Sequence, residues 1–396
     1  MSLSIALPLS SGGTETWKLR EAAPFAAPTS TPGFDRIAYS AAHVVSDPLA
    51  ARDPWLAAAV DWDATIAYRQ RLWSLGLGVA EAMDTAQRGM GLDWPTSLEL
   101  IRRSLDAARD VPGALVASGC GTDHLAPEQA KTVDEVIHAY ETQMAAIESL
   151  GGKLIVMASR ALARIAAGPA DYERVYDRIL AQSRQPVILH WLGDMFDPQL
   201  SGYWGSSEVD AAMETALGVI AANPGKVDGI KISLLDKDKE ILMRRRLPEG
   251  VHMYTGDDFD YAELIAGDGV GSAQNHRHSD ALLGIFDAIA PAASAALVAL
   301  AAGDRARFDE ILAPTVPLSR HIFQAPTRFY KTGIVFLAWL NGHQSHFTMV
   351  GGQQSARSLL HFADAFRLAD QAGLLEKPEL AVTRMRQLLA LHGVAA

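Results

Sequence analysis

From residue 36 onward, short apolar runs alternate with longer stretches of helical periodicity. The runs fall at 36–41, 78–83, 114–118, 153–157, 186–190, 227–231, 251–254 and 269–273, each the length of a buried strand. Between them, apolar residues recur at three- and four-residue spacing across 64–75, 95–108, 127–150, 170–183, 206–222, 237–246 and 259–266, which predicts helices with one buried face. Several of these begin with start signals, as in Ala126-Pro127-Glu128 and Gly168-Pro169-Ala170-Asp171, where Pro and acidic residues suit the first turn. Eight strands, each followed by a helix, close more naturally into a ring than into an open sheet. An open dinucleotide-binding sheet needs a Gly-rich turn after its first strand, and Ala41-Ala42-His43-Val44 is not one.

Beyond residue 280 the pattern reads as helical throughout, over 280–289, 292–302, 304–320, 328–340, 353–372 and 378–392. The first of these segments is expected to be the eighth barrel helix. The predicted fold class is α/β: a short N-terminal extension over 1–35, with turn chemistry at Ser10-Ser11-Gly12-Gly13, a (β/α)8 TIM barrel over 36–290, and a C-terminal helical appendage over 291–396 packed on the barrel.

Composition narrows the function. Of the 396 residues, 49% are hydrophobic and 20% charged, as in a globular chain with a large core. A net charge of −11 argues against attraction to nucleic acid or anionic membrane, leaving small molecules as partners. The lone Cys120 offers neither an internal disulfide nor a thiolate metal set. No apolar run reaches the roughly 18 residues of a membrane span, and Met1 to Leu9 lacks a basic signal-peptide start. A cytoplasmic location is expected.

Catalytic groups of such barrels stand at the C-terminal ends of the strands. There, Lys231 closes the apolar run Val227-Asp228-Gly229-Ile230-Lys231. Burial favours the uncharged, nucleophilic form of a lysine, which imine chemistry requires; the ordinary alternative is a side chain that reaches out to solvent.

Gly229-Ile230-Lys231 resembles the Gly-Ile-Lys around the imine-forming lysine of the dihydrodipicolinate synthase and N-acetylneuraminate lyase superfamily. Gly119-Cys120-Gly121 is similar to its Gly-Thr-Gly, Gly256-Asp257-Asp258 to its Gly-Asp-Asp, and the run from Gly267 to Asn275 to its Gly-x-x-Gly-x-Ile-Ser-x-x-x-Asn. The order of these motifs over about residues 36 to 375 identifies a divergent subgroup. The resemblance implies a homo-oligomeric lyase of class I aldolase type, with Lys231 as the imine-forming residue.

The departures bear on the substrate. Where the family has Gly-Thr-Thr-Gly-Glu, this chain has Asp84-Thr85-Ala86-Gln87-Arg88, so one hydroxyl, Thr85, remains. His190 stands in place of the family's relay tyrosine, the arginine that follows it is missing, and Ala158-Ser159-Arg160 replaces Pro-Tyr-Tyr. A pocket without the family's clamp for a 2-oxo acid fits a neutral keto compound better, such as an oxidised sugar or cyclitol. The expected reaction is retro-aldol cleavage or dehydration. Lys231, His190 and Thr85 are the expected catalytic residues, His190 moving protons; Asp84, Arg160, Asp194 and Asn275 are the expected substrate contacts. This chemistry requires no cofactor.

Two other readings stand beside it. Glu81 and Asp84, His190 and Asp194, and His276 and His278 could meet as oxygen and nitrogen ligands of a divalent metal, Glu81 and His276 being the ligands specific to that reading. Each has an ordinary explanation: Glu81 as the ion-pair partner of Lys231, Asn275 to Ser279 as a helix cap, and Arg160 as half of a surface ion pair. The third reading is a barrel that binds a ligand without turnover. Trp191, Tyr203 and Trp204, after the fifth strand, are either a sugar-stacking lid or core.

Overall fold

The computed structural model describes residues 3–21, 25, 28, 30–83, 88–271 and 273–394. The chain opens with an antiparallel hairpin, β1 (Ser4–Pro8) and β2 (Thr14–Lys18), turned through the predicted Ser10–Gly13 segment. Ile5 and Leu7 are buried, while β2 alternates between exposed and half-buried positions, as expected of a sheet with one wet face. The hairpin is tied to the C-terminal helices: the Trp17 indole N–H donates to Asp370 at 2.9 Å, and Arg367 donates to Glu15 at 2.8 Å.

Eight parallel strands then close into a barrel. They are β3 (Ala38–Ser40), β4 (Gly78–Glu81), β5 (Val116–Cys120), β6 (Lys153–Val156), β7 (Val187–Leu192), β8 (Val227–Ser233), β9 (His252–Thr255) and β10 (Asp280–Leu283), with β10 pairing both β3 and β9. The fold is therefore the (β/α)8 barrel that the alternation predicts. Side-chain alternation along the strands separates two cores. Tyr39, Ala80, Ala117, Ile155, Ile188, Tyr254 and Leu282 fill the interior of the ring. Val79, Leu154, Leu189, Ile230 and Ile232 face the surrounding helices.

The helices start where the sequence supplies caps. Asp61 accepts from Ala64, Asp93 accepts from Thr96, and Thr132 with Glu135 forms a capping box at the head of Val133–Ser149, each satisfying an otherwise orphaned backbone N–H. After the barrel, helices Ala290–Ala301, Arg305–Leu312, Val316–Ile322, Tyr330–Leu340, Leu359–Gln371 and Pro378–Leu391 make up the C-terminal region.

One expected strand is misplaced. Of the expected strand 269–273, the described residues 269–271 and 273 are loop, Gly269 taking a left-handed φ of 70°, and the eighth strand is Asp280-Ala281-Leu282-Leu283, inside a stretch read as helix. Four residues buried on both faces carry no period, and the Ala- and Leu-rich sequence that follows has high helix propensity. What makes them a strand is the pair of edges they close: Ala281 pairs with Ala38, and Asp280 with Tyr254. Moving the strand also moves Asn275 and His276. Both precede β10 and so lie on the N-terminal side of the barrel, away from the strand ends that carry chemistry. Among the described residues no helix is long and apolar enough to cross a membrane.

Candidate functional site

Lys231 and His190 occupy facing positions on neighbouring strands, paired in register between β8 and β7. Both are buried, at 7% and 1% exposure. Their strand neighbours Ile230, Ile232, Leu189 and Trp191 belong to the outer core, so alternation turns Lys231 and His190 inward. Ser233, two residues beyond Lys231, brings its hydroxyl within 3.3 Å of His190 Nε2. Burial holds the His190 imidazole well below its ordinary range, and the Lys231 charge lowers it further. It is a neutral ring, able to accept a proton.

Space for these groups comes from Gly256, directly after β9. A methyl there would lie 2.3 Å from Ser233 Oγ, 2.5 Å from Ile232 O and 2.7 Å from Lys231 Cε. Gly256→Ala is expected to cost about 1–3 kcal/mol in stability through overpacking and to lower activity per folded molecule, because Lys231 must move. Urea denaturation alongside the rate of any assayed reaction checks this; a Gly256→Ala variant of unchanged midpoint and rate refutes the close packing.

Asp258, buried in the segment after β9, has no role assigned from the sequence. Its Oδ1 accepts the Ile285 N–H at 2.9 Å. Burial pushes its carboxyl up to about 7, against the Ile285 hydrogen bond and the charges of Lys231 and Lys331, which pull it down. The signal in the sequence was Gly256-Asp257-Asp258, visible as a motif but silent about which aspartate feels the charge of Lys231. Asp257 instead accepts the N–H groups of Phe259 at 2.8 Å and Asp260 at 3.0 Å, at the head of the next helix.

A second buried lysine, Lys331, arrives from helix Tyr330–Leu340 and donates to Ala41 O at the end of β3 and to Asp287 Oδ2 at 3.3 Å. Asp287 also accepts from the His43 backbone N–H at 2.6 Å and lies 2.9 Å from His43 Nδ1. Lys331 and His43 hold the Asp287 carboxyl far below the usual carboxylate range, although burial opposes them. The C-terminal region thus braces the barrel mouth with its own charge. No periodicity in the sequence announces such a contact, because 290 residues separate Lys331 from Ala41.

The remaining expected site residues are placed as follows. Asp84 and Thr85 lie outside the described residues. Glu81 points outward from β4, between helices Trp62–Ser74 and Trp94–Ala108. Both of its oxygens are engaged, by Arg69 Nη2 and Nε at 2.9 Å and by Ser104 Oγ at 2.5 Å. Its partner is therefore Arg69 and not Lys231, and strand alternation puts it on the wrong side of the sheet for a ligand set with His190. His276 Nε2 lies 2.8 Å from Leu247 O, and Asn275 donates to Pro248 O and Val251 O at 3.0 and 2.8 Å, so both brace the N-terminal face. Among the described residues no group of three His, Cys, Asp or Glu side chains converges as a metal site.

Arg160 does reach the C-terminal face, where its Nε donates to Asp197 at 2.5 Å. Asp194 is exposed on the flank between the β7 and β8 loops, together with Lys239. Tyr203 and Trp204 are core, 2% and 0% exposed. Tyr203 meets Tyr172 edge-on at 4.9 Å, and Trp191 meets Trp204 edge-on at 6.5 Å.

The fold is shared with solved enzymes. Dihydrodipicolinate synthase from Aquifex aeolicus superposes with a TM-score of 0.62 at 14% identity, over 86% of this chain and 99% of that one. YagE, a prophage protein of the dihydrodipicolinic acid synthase family from E. coli K12 solved in complex with pyruvate, gives 0.63 at 15% identity, over 86% and 100%. Dihydrodipicolinate synthase from Oceanobacillus iheyensis gives 0.54 at 13%, over 90% and 97%. None of the curated proteins matches the sequence. A protein-family model described as "Protein of unknown function (DUF993)" matches residues 5–394. The chain belongs to the DUF993 family, and its barrel has the fold of the dihydrodipicolinate synthases.

Proposed function

We propose that this protein is a class I aldolase-type lyase in which Lys231 forms an imine with a keto substrate. The observation that carries the reading is the pairing of a buried lysine with a buried, neutral histidine on adjacent strands inside a closed barrel. Once deprotonated, the amine of Lys231 adds to the substrate carbonyl, and the carbinolamine loses water as a nearby acid protonates its hydroxyl. Asp258, its carboxyl pushed up to about 7 within reach of the Lys231 charge, suits that acid role. His190 then takes a proton from a hydroxyl two carbons from the iminium carbon, or from the carbon next to it. In the first case the C–C bond breaks, the iminium takes the electron pair as an enamine, and His190 returns its proton to the carbon next to the imine. In the second the enamine expels the hydroxyl two carbons away, which leaves as water with the proton held by His190. Hydrolysis releases the product and returns the amine. A keto compound such as an oxidised sugar or cyclitol matches the hydroxyl-bearing carbon that this sequence consumes, and turnover needs no cofactor.

The test is reduction with borohydride in the presence of candidate ketones, followed by mass analysis. The expected result is a stable adduct on Lys231. A substrate that is turned over yet leaves no adduct rejects the imine.

The acid role of Asp258 has a pH signature. With its carboxyl up to about 7, the protonated, donating form predominates below that pH and is lost above it. Turnover is therefore expected to fall as pH rises through 7, with no matching limb from His190, which burial holds well below its ordinary range. Asp258→Asn should remove the fall; a pH–rate curve identical to wild type in that variant refutes the assignment.

A further inference from the structure

A cleft of about 630 Å³ lies on the C-terminal side of the barrel, walled by residues 54–58 after β3, 88–93 after β4, Arg160 after β6, the segment after β7 and the C-terminal region. Leu192, two residues beyond His190 on β7, is among its lining residues. Its volume lies in the range of small-molecule sites and exceeds what a three-carbon keto compound needs.

The charges on its walls are unequally committed. Arg88 is engaged on Asp123 through Nε and Nη2 at 3.0 and 2.7 Å and on Gly119 O at 2.6 Å. Among the described residues Arg160 hydrogen-bonds through Nε alone, to Asp197; a Cβ added to Gly89 would lie 3.0 Å from its Nη1, so that end faces the cleft wall across a glycine. Arg328 donates no hydrogen bond among the described residues, and its guanidinium lies over the Phe329 ring, 4.9 Å from the centroid. The carboxylates present are Asp197, held by Arg160, and Asp93, which accepts the Thr96 N–H at 2.9 Å as a helix cap. Above them the wall is apolar and open: Trp55 is 79% exposed.

The geometry points to a distal substrate subsite in which Arg160 and Arg328 hold an anionic group, a carboxylate or phosphate ester, with the connecting part of the substrate lying against Trp55. Guanidinium forks suit both anions, and a planar indole suits an apolar or ring-shaped link. The inference rests on the imine reading for one point only, that the opposite end of the same molecule reaches Lys231. Accordingly, the substrate is longer than a simple keto acid and carries its charge far from the carbonyl.

Binding is measured with two probes, glutarate for the carboxylate and glycerol 3-phosphate for the phosphate ester, by tryptophan fluorescence and calorimetry on the full chain. One of the two is expected to bind saturably, and the preferred one names the anion. Affinity should fall roughly tenfold or more in Arg160→Met and in Arg328→Met, as for a lost charge-assisted hydrogen bond, and weaken with added salt. Trp55→Phe should remove the fluorescence change while calorimetry still reports binding. Lys231→Met should leave anion binding unchanged, which separates this subsite from the imine: failed trapping with intact anion binding overturns only the mechanism. Absence of saturable binding by both probes, or undiminished affinity in the Arg160→Met/Arg328→Met double variant, overturns the subsite.

Discussion

Lys231→Met abolishes the borohydride-trapped adduct and lowers turnover by at least on the order of 10³-fold, the scale on which loss of an attacking group acts. The size of the effect follows from position. Lys231 is 7% exposed, paired in register with His190, and lies against a glycine that leaves it room, so no other amine takes its place by a small movement. Lys331 is the nearest rival in kind, but its Nζ is committed to Ala41 O and Asp287. Methionine matches the lysine stem in length and flexibility, so the fold is expected to survive, and the circular dichroism spectrum should overlay that of wild type. Turnover that persists in a folded Lys231→Met variant, or an adduct that maps to Lys331, would remove Lys231 from the mechanism.

Glu81→Ala has the largest expected effect on stability, about 3–5 kcal/mol, the cost of leaving one member of a buried ion pair without the other. Both side chains of the Arg69–Glu81 pair are 0% exposed. Glu81 also holds Ser104 Oγ and the Ala82 N–H, so its removal strands a guanidinium and two further donors in the low-dielectric layer between sheet and helices. Replacing both partners, as in Arg69→Met/Glu81→Leu, should recover part of the loss because no charge then stays uncompensated. Urea unfolding measures both variants. An unchanged midpoint for Glu81→Ala would show that the pair does not hold this layer together. The folded fraction of Glu81→Ala should still be trapped by borohydride, because the residue faces away from Lys231; loss of trapping there would return Glu81 to the chemistry.

These two residues show how far the sequence could be read. Both lie near the C-terminal end of an apolar strand, Glu81 as the last residue of β4 and Lys231 two residues before the end of β8, and both are candidates for that reason. Strand position fixes which end of the barrel a residue occupies, but which face it takes depends on register, and one step along a strand reverses it. Lys231 falls on the inward parity and Glu81 on the outward parity. The sequence therefore nominated both, and only the placement of neighbours such as Ala80 inside and Val79 outside separates them. Asn275 and His276 failed for a different reason: a single misplaced strand moved them from one end of the barrel to the other.

The sequence by itself determined the alternation of strands and helices, the closure of seven of the eight strands where expected, and the candidacy of Lys231 and His190, since local period and strand-end position are local properties of the chain. The tertiary structure decided the rest. It found β10 through the two edges it joins, gave Glu81 to Arg69, set Asp258 within reach of the charges of Lys231 and Lys331, and brought Lys331 across 290 residues to the barrel mouth. Such contacts arise only when distant segments are packed together and a buried charge must find its compensation wherever the fold supplies it.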